Sequence, residues 1–460
     1  MEERSNKRQL EFNTLVDLEV KKEDISNFLE NRLQPKNLIF VPTKGQYNPD
    51  KINPEVEKKL LELITKGEIT KAIVGTEPKA HKIYIEFFIK NKIPVLTDKP
   101  LTAPVGLTTN SEAAEQVYKD AEYLANLSKK HCTPIYVQVQ RREHPAYKFI
   151  FDYAKEIIQE YKMPITYFDI FHCDGSWNMP PEYYSRENHP YKYGYGKIMH
   201  SGYHFADLVA RIAEANSIVN SKISIDNRTS LLLADEHYIQ INGDFIYQKL
   251  FNQKTTKPQL KLTGELDSYS TFEFFDEFGN ILTHGKLDML QSGYSRRKQF
   301  ELPKDTYKGN GRVRHERFVI NIGSLCTIQL HSYQSDEVNQ AHKQGFGGEE
   351  HLDVYVYRNS HLIGGKTFEK KEFGKIISQK NEGQNEYIGQ NEHARNIIFD
   401  QFVGLGASTT LIEKQLLTNQ LISSMYLSYT PAQRYMTEPN RKVVLGSRWP
   451  TFTLSHRKGW

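Results

Sequence analysis

Residues 70–101 read TKAIVGTEPKAHKIYIEFFIKNKIPVLTDKPL, and this stretch decides the fold class. Two short runs rich in β-branched residues, TKAIVG (70–75) and IPVLTD (93–98), flank a segment over about 79–90 with apolar residues at helical spacing. Alternation of that kind marks a parallel sheet covered by helices. Asn91 is read as the left-handed stop of the helix.

Working outward, the same texture runs from the start to about residue 140. Further strands are expected at FNTLVD (12–17), NLIFVP (37–42) and PIYVQV (134–139). A helix follows Asn53, with Pro54 in its first turn and then VEKKLLELITKG. Another, SEAAEQVYKDAEYLANLSKKH, carries one apolar stripe and ends in basic residues that suit its negative dipole end. After about residue 150 the pattern changes. SLCTIQLHSY (324–333) and LDVYVYRN (352–359) alternate as sheet strands with one face to solvent do. Residues 392–428 are again helical in pattern, and the tail from Tyr429 onward is unassigned.

Composition limits the function. The 460 residues are 25% charged and 38% hydrophobic, with no apolar run of the roughly 18 residues a membrane span needs. The charged amino terminus, MEERSNKRQLEF, lacks the apolar centre of a signal peptide, so a cytoplasmic location is expected. Cys132, Cys173 and Cys326 are odd in number and widely spaced, which supports neither a disulfide framework nor a cysteine metal site, and no metal is expected. A net charge of +4 without a long basic run argues against nucleic acid. Aromatic residues, at 12%, suit β-structure and carbohydrate or ring-shaped ligands.

Four segments in order, GTEPKAH (75–81), LTDKPL (96–101), VQRREHPAY (139–147) and KIMHSGYHFADL (197–208), resemble the Gfo/Idh/MocA family of glucose-fructose oxidoreductases and inositol dehydrogenases. The family has a TPP-x-x-H turn, an E-K-P loop eighteen residues beyond that His, and a G-x-H-x-x-D helix start. Here His81 and Lys99 stand eighteen apart, and Asp98 takes the place of the usual glutamate. The resemblance covers roughly residues 10–210 and implies a dinucleotide-binding domain followed by a substrate domain, an NAD or NADP cofactor, a small carbohydrate-like substrate and a homo-oligomer.

Each segment also has a reading of its own. Lys99 follows a strand end, where ligands bind in open α/β sheets, and its ammonium suits the stabilisation of oxygen charge as hydride leaves carbon. The bland alternative is a solvated lysine beside a rigid turn. His204 opens the apolar pattern FADLVARIA, and an imidazole accepts a hydroxyl proton near neutral pH. The resemblance makes Lys99 catalytic and His204 the general base. His200 stands where the family often has an aspartate that touches substrate, so it is assigned to the catalytic and substrate sets, with a role different from that of a carboxylate. Asp17 ends the first visible strand, where an acid accepts ribose hydroxyls, although a turn or capping aspartate is an equal reading. Thr76, Glu77, Pro78, His81, Asp98 and Lys99 complete the expected cofactor side; His81 has the alternative of a surface residue. Arg142 is assigned to substrate, although at least one of Arg141 and Arg142 is expected to tie the two domains together. Trp177 and Tyr184, in the loop 176–197, are assigned to substrate by their aromatic faces, against the stronger reading of a packed loop.

The family's first strand and G-x-G-x-x-G turn, which hold the pyrophosphate, have no counterpart in this sequence. The first visible strand already ends in the acid of the family's second strand. Loss of the central strand would deprive both neighbours of a ladder. Truncation at the amino terminus, supply of the unit by another chain, and closure of the sheet around the gap are the three explanations, and the first is favoured.

The resulting expectation is an α/β chain. An incomplete Rossmann-type parallel-sheet domain over 1–145 precedes an α+β domain with an open, mainly antiparallel sheet over 146–460. Its expected function is hydride transfer between NAD(P) and a sugar, cyclitol or derivative. The alternative is a non-catalytic protein of the same ancestry that senses a nucleotide or sugar, or serves as an interaction surface.

Overall fold

The computed structural model describes residues 10–42, 51–186, 189–254, 263–300, 311–335, 351–374, 390–429, 441–445 and 455–456. It divides into two compact units, residues 1–102 with 120–138, and residues 103–119 with 139–460.

The first unit is built from parallel strands. β1 (Thr14–Leu18) pairs with β2 (Asn37–Val41), with Thr14 opposite Asn37 and Leu18 opposite Val41, and α1 (Lys22–Leu29) lies between them in sequence. α2 (Pro54–Thr65) starts where expected, because the Asn53 side chain accepts from the Glu55 and Val56 amides and Pro54 fills the first turn. β3 (Ala72–Val74), β4 (Val95–Thr97) and β5 (Ile135–Val137) form a second parallel sheet in that order. α3 (Pro78–Lys90) connects β3 to β4, and α4 (Ser111–His131) precedes β5. β4, flanked on both sides, is buried at every position, whereas Ile73 of β3 is 52% exposed and Leu38 of β2 is 45% exposed.

Among the described residues no ladder joins β1–β2 to β3–β4–β5, so each of β1 and β3 has a partner on one edge only. One local expectation is corrected. Asn91 caps α3 at φ −93°, and the left-handed residue is Lys92, at φ 58°. Asn91 instead donates its side-chain amide to the Phe87 carbonyl at 2.8 Å, which a residue still in line with the helix can reach.

The second unit centres on one ten-stranded sheet in the order β13-β12-β11-β10-β6-β9-β8-β7-β14-β15. Its strands are β6 (Tyr167–Ser176), β7 (Ile223–Leu233), β8 (Glu265–Phe275), β9 (Ile281–Ser292), β10 (Val313–Ile322), β11 (Cys326–Ser335), β12 (His351–Arg358), β13 (Phe368–Glu372), β14 (Arg441–Leu445) and β15 (Ser455–His456). Every pairing is antiparallel except β6 with β9. In β10, Phe318, Ile320 and Ile322 are buried and alternate with partly exposed Arg317, Val319 and Asn321, as in a sheet with one covered face.

The longer helices of this unit among the described residues are α5 (Pro145–Tyr161), α6 (Tyr203–Asn216), α7 (Ala234–Gln240), α8 (Gly243–Phe251), α9 (Gln390–Phe402) and α10 (Leu416–Tyr429). α5 packs on β10 and on α6, and α10 packs on β7 and α6. The single helical stretch read over 392–428 is thus two helices. The chain between them bends at Gly404 and Gly406, whose φ angles of +102° and +108° are open only to glycine at low cost. In the tail, β14 extends the sheet beside β7, and most of the remainder lies outside the described residues. The fold is α/β, a Rossmann-like parallel-sheet unit with a larger, mainly antiparallel one. No helix among the described residues is long and apolar enough to cross a membrane.

Candidate functional site

In the first unit the candidate residues sit at the carboxyl ends of the parallel strands. β3 ends at Val74, and Thr76 and Glu77 turn the chain into α3, with Pro78 at its first position. Glu77 pairs with Lys79 at 3.3 Å. His81, one turn into the helix, is 1% exposed, so it is not a surface residue. Its Nδ1 lies 2.7 Å from the Pro100 carbonyl and its Nε2 2.8 Å from the Thr76 carbonyl. The imidazole thereby staples the turn after β3 to the turn after β4. Burial pushes its pKa below the ordinary value, against the two carbonyl oxygens and Asp98, which favour the protonated ring.

The second of those turns carries Lys99. The Asp98 amide donates to the Val74 carbonyl at 3.0 Å, Asp98 Oδ1 accepts from the Lys99 amide at 2.9 Å, and the Lys99–Pro100 peptide is cis. Lys99 is half-buried and Asp98 exposed. Just beyond, Thr102 Oγ1 donates to Asp120 Oδ2 at 2.9 Å, and Lys82 donates to the other oxygen of that buried carboxylate. The Lys99 turn is therefore gripped on both sides. His81→Ala, which removes the buried ring between the two carbonyls and the single N–H that the neutral imidazole donates to one of them, is expected to cost about 1–3 kcal/mol in a urea titration. A loss below a few tenths would mean that the staple contributes nothing.

Asp17 stands apart from this group. It lies near the end of β1, half-buried, and its Oδ1 accepts from the Leu18 amide at 2.7 Å. Among the described residues no ladder joins its sheet to the one whose strand ends lead into Thr76 and Lys99.

In the second unit the chain from Lys197 makes one wide π-helical turn, Ile198–Gly202, and then enters α6. A Cβ on Gly202 would lie 2.6 Å from the Lys197 carbonyl oxygen, and one on Gly196 would lie 2.0 Å from that of Glu265, so both positions demand glycine. His200 and His204 are each 6% exposed. Three rings meet the His200 ring edge to face: His189 at 4.9 Å, and Tyr191 and Tyr195 at 5.8 Å each. His204 occupies the first turn of α6.

Asp207, fully buried one turn on, belongs to an ion-pair cluster. Arg142 Nε donates to its two oxygens at 3.0 and 2.9 Å, Arg142 Nη2 donates to Glu214 at 3.0 Å and to the Lys414 carbonyl at 3.0 Å, and Thr418 Oγ1 donates to Asp207 at 2.8 Å. The guanidinium of Arg142 is thus taken up by protein partners. Arg141 pairs with Glu316 and lies 4.0 Å from the Phe205 ring centre. His144 caps α5 by accepting from the Ala146 amide at 3.2 Å. Burial first, and then the Arg141 charge, hold its pKa down at about 3.

The remaining assigned aromatics are packed. Trp177 stacks on Tyr247 at 6.1 Å within a cluster that includes Met179, Tyr238, Phe251 and Phe300. Tyr184 lies against Tyr183, Tyr191, Ala234 and Leu266, and burial pushes its hydroxyl up to about 12.

A buried network around the 198–202 turn escaped the sequence reading. Asp174, 2% exposed, accepts from Lys197 Nζ and, at 2.9 Å, from Ser201 Oγ, while Arg312 pairs with its other oxygen. Lys197 also donates to His172 Nδ1 at 3.0 Å, which leaves the proton of the neutral ring on Nε2. Burial opposes the Asp174 charge, but Lys197 and Arg312 outweigh it and hold its pKa well below the carboxylate range. Glu265 closes the turn from β8: its Oε1 accepts from the Ile198 amide at 2.9 Å and from Tyr426 at 2.7 Å, and its main-chain oxygen accepts from the Lys197 amide at 2.9 Å. Burial raises its pKa to about 7. A signal was present: alternation in YFDIFHCD sets His172 and Asp174 on the same face as Phe168 and Ile170, two polar residues where the core requires partners. Among the described residues no group of three or more His, Cys, Asp or Glu is placed to hold a metal ion.

Comparison with known proteins supports the architecture. The chain is similar in structure to levoglucosan dehydrogenase, solved in complex with NADH and levoglucosan, with a TM-score of 0.53 and 12% identity over 91% of this chain and 88% of that one. It is likewise similar to an oxidoreductase domain protein from Kribbella flavida, with a TM-score of 0.52 and 13% identity over 92% of this chain and 89% of that one. At such identities the likeness establishes the fold alone. Residues 412–460 match the C-terminal domain of a family of unknown function, DUF5686. No curated protein matches the sequence.

Proposed function

We propose that this chain is an NAD(P)-dependent oxidoreductase of the Gfo/Idh/MocA type, acting on a sugar, cyclitol or derivative. The observation that carries the reading is the Lys99 turn, stapled by His81 at the carboxyl ends of parallel strands, where open α/β sheets bind ligands. In this reading residues 1–145 are the nucleotide-binding domain and residues 146–460 the substrate and oligomerisation domain of a cytoplasmic homo-oligomer.

The residues fit part of the cofactor. Thr76, Glu77, Pro78, His81, Asp98 and Lys99 would hold the nicotinamide side and Asp17 the ribose, while no G-x-G-x-x-G turn in this sequence serves the pyrophosphate. When bound, the nicotinamide supplies the hydride acceptor or donor. The chain's own work is to hold the substrate hydroxyl, with Lys99 Nζ stabilising charge on its oxygen and the His204 imidazole taking its proton. His200, Trp177 and Tyr184 are retained as substrate-side residues. Arg142 is moved from that set to a structural clamp on Asp207.

The test is a titration of the purified chain with NADH, following energy transfer from its three Trp residues, and then a screen of sugars and cyclitols. Saturable micromolar binding followed by turnover, with His204→Ala binding NADH but not turning over, is the expected result. Binding without turnover on any substrate would favour the second reading, a non-catalytic sensor. The enclosure of His200 by three rings, at a place where the family often has a carboxylate, supports that alternative.

A further inference from the structure

We infer that Asp174 is a positioning residue that sets the placement of His200 and His204, a role resting on the reading of those histidines as site residues. One of its oxygens accepts from both Lys197 Nζ and Ser201 Oγ. These two donors stand on either side of His200, at the entry of the π-helical turn and near its exit. A single buried carboxylate therefore grips both shoulders of the turn that carries His200 and leads into His204.

The carboxylate is itself held. Arg312 bonds one of its oxygens and, through Nε at 3.1 Å, the Asp174 carbonyl, so the grip reaches from β6 to the residue that leads into β10. The same network reaches α6 by a second route. His172, which accepts from Lys197, stacks on Phe205 at 4.2 Å, and the Arg141 guanidinium lies 4.0 Å from the same ring centre. Phe205 is adjacent to His204. Charged hydrogen bonds in a water-poor interior are strong and directional, and so suit the fixing of a turn.

The experiment uses the full chain labelled with 13C at histidine, with the His200 and His204 signals assigned from His200→Gln and His204→Gln. In folded Asp174→Asn both ring signals are expected to be displaced, while that of His361, exposed at residues 360–363, stays in place. Asp174→Glu, which keeps the charge, should return part of the displacement. Unmoved His200 and His204 signals in folded Asp174→Asn would overturn the assignment. If that variant does not fold, Lys197→Met and Ser201→Ala, each removing one grip, decide by the same criterion.

These signals are read without nicotinamide or substrate, so a chain that transfers no hydride still tests the inference. Once a substrate is found, kcat of Asp174→Asn should fall about 100-fold, roughly the cost of an ångström of misplacement, with NADH affinity unchanged.

Discussion

Arg142→Ala is expected to lose about 3–5 kcal/mol of stability, because it leaves Asp207 fully buried with its charge unpaired. Removing the guanidinium takes away two bonds to Asp207, two to Glu214 and the cap on the Lys414 carbonyl. Glu214 is 38% exposed and can turn to water; Asp207 is sealed. Since a domain commonly has about 5–15 kcal/mol in total, the variant should show a sharply lower urea midpoint and lower soluble yield. The diagnostic partner is Arg142→Met with Asp207→Leu, in which neither charge remains. It should recover more than half of the loss, because most of the cost lies in the stranded carboxylate rather than in the missing attraction. A single variant within 1 kcal/mol of the parent would show that the guanidinium is dispensable to the fold and would return Arg142 to the substrate set.

Glu265→Gln should change the shape of the stability curve with pH. Burial raises the Glu265 pKa to about 7 from an ordinary 4.5, so the folded chain holds a proton that the unfolded chain has lost. The contribution is fully present below pH 4.5 and is lost as pH rises through 7. Integrated over that window, the parent forfeits about 3 kcal/mol between pH 4.5 and 9. Glutamine keeps the oxygen that accepts from Ile198 and Tyr426 and cannot ionise. Its stability should therefore stay flat where the parent declines, with the gap widest at pH 9. Parallel curves for the two proteins would mean that the Glu265 carboxyl titrates as in the unfolded chain.

How much could be read beforehand depended on what kind of force acted. Short, β-branched strands and capped helices of the first unit obey local rules, and Asn53 with Pro54 locates the start of α2 from sequence alone. Lys92 shows where local rules stop: it takes the left-handed stop one residue beyond Asn91 without any preference of its own for it. Residues 392–428 looked continuous because helical periodicity survives a break. α10 includes Thr418, Asn419, Gln420, Ser423 and Ser424, and it is buried nonetheless. Such a helix has no apolar face to detect, and its place follows from packing on β7 and α6.

The candidate site divides in the same way. Lys99, His81 and His204 stood out through spacing, yet spacing could not tell a buried staple from a surface histidine. Arg142 and Asp207 are 65 residues apart, and Asp174 and Arg312 are 138 apart. No local pattern announces partners that distant. Only the alternation of His172 and Asp174 with apolar residues pointed to a buried demand, and it did not say what would meet it.

The one parallel pairing in the large sheet among the described residues, β6 with β9, bears on how that unit is made. β6 ends at residue 176, its neighbours β9 and β10 begin at residues 281 and 313, and all three lie in the middle of the sheet. During synthesis the central strand emerges more than a hundred residues ahead of either neighbour, with its apolar face and both edges waiting. Closing loops of that length before any pairing is gained makes assembly slow, and a waiting strand is open to the wrong partner. The same arrangement that brings Asp174, Lys197 and Arg312 together at the end therefore makes the chain most dependent on protection from aggregation midway through its synthesis.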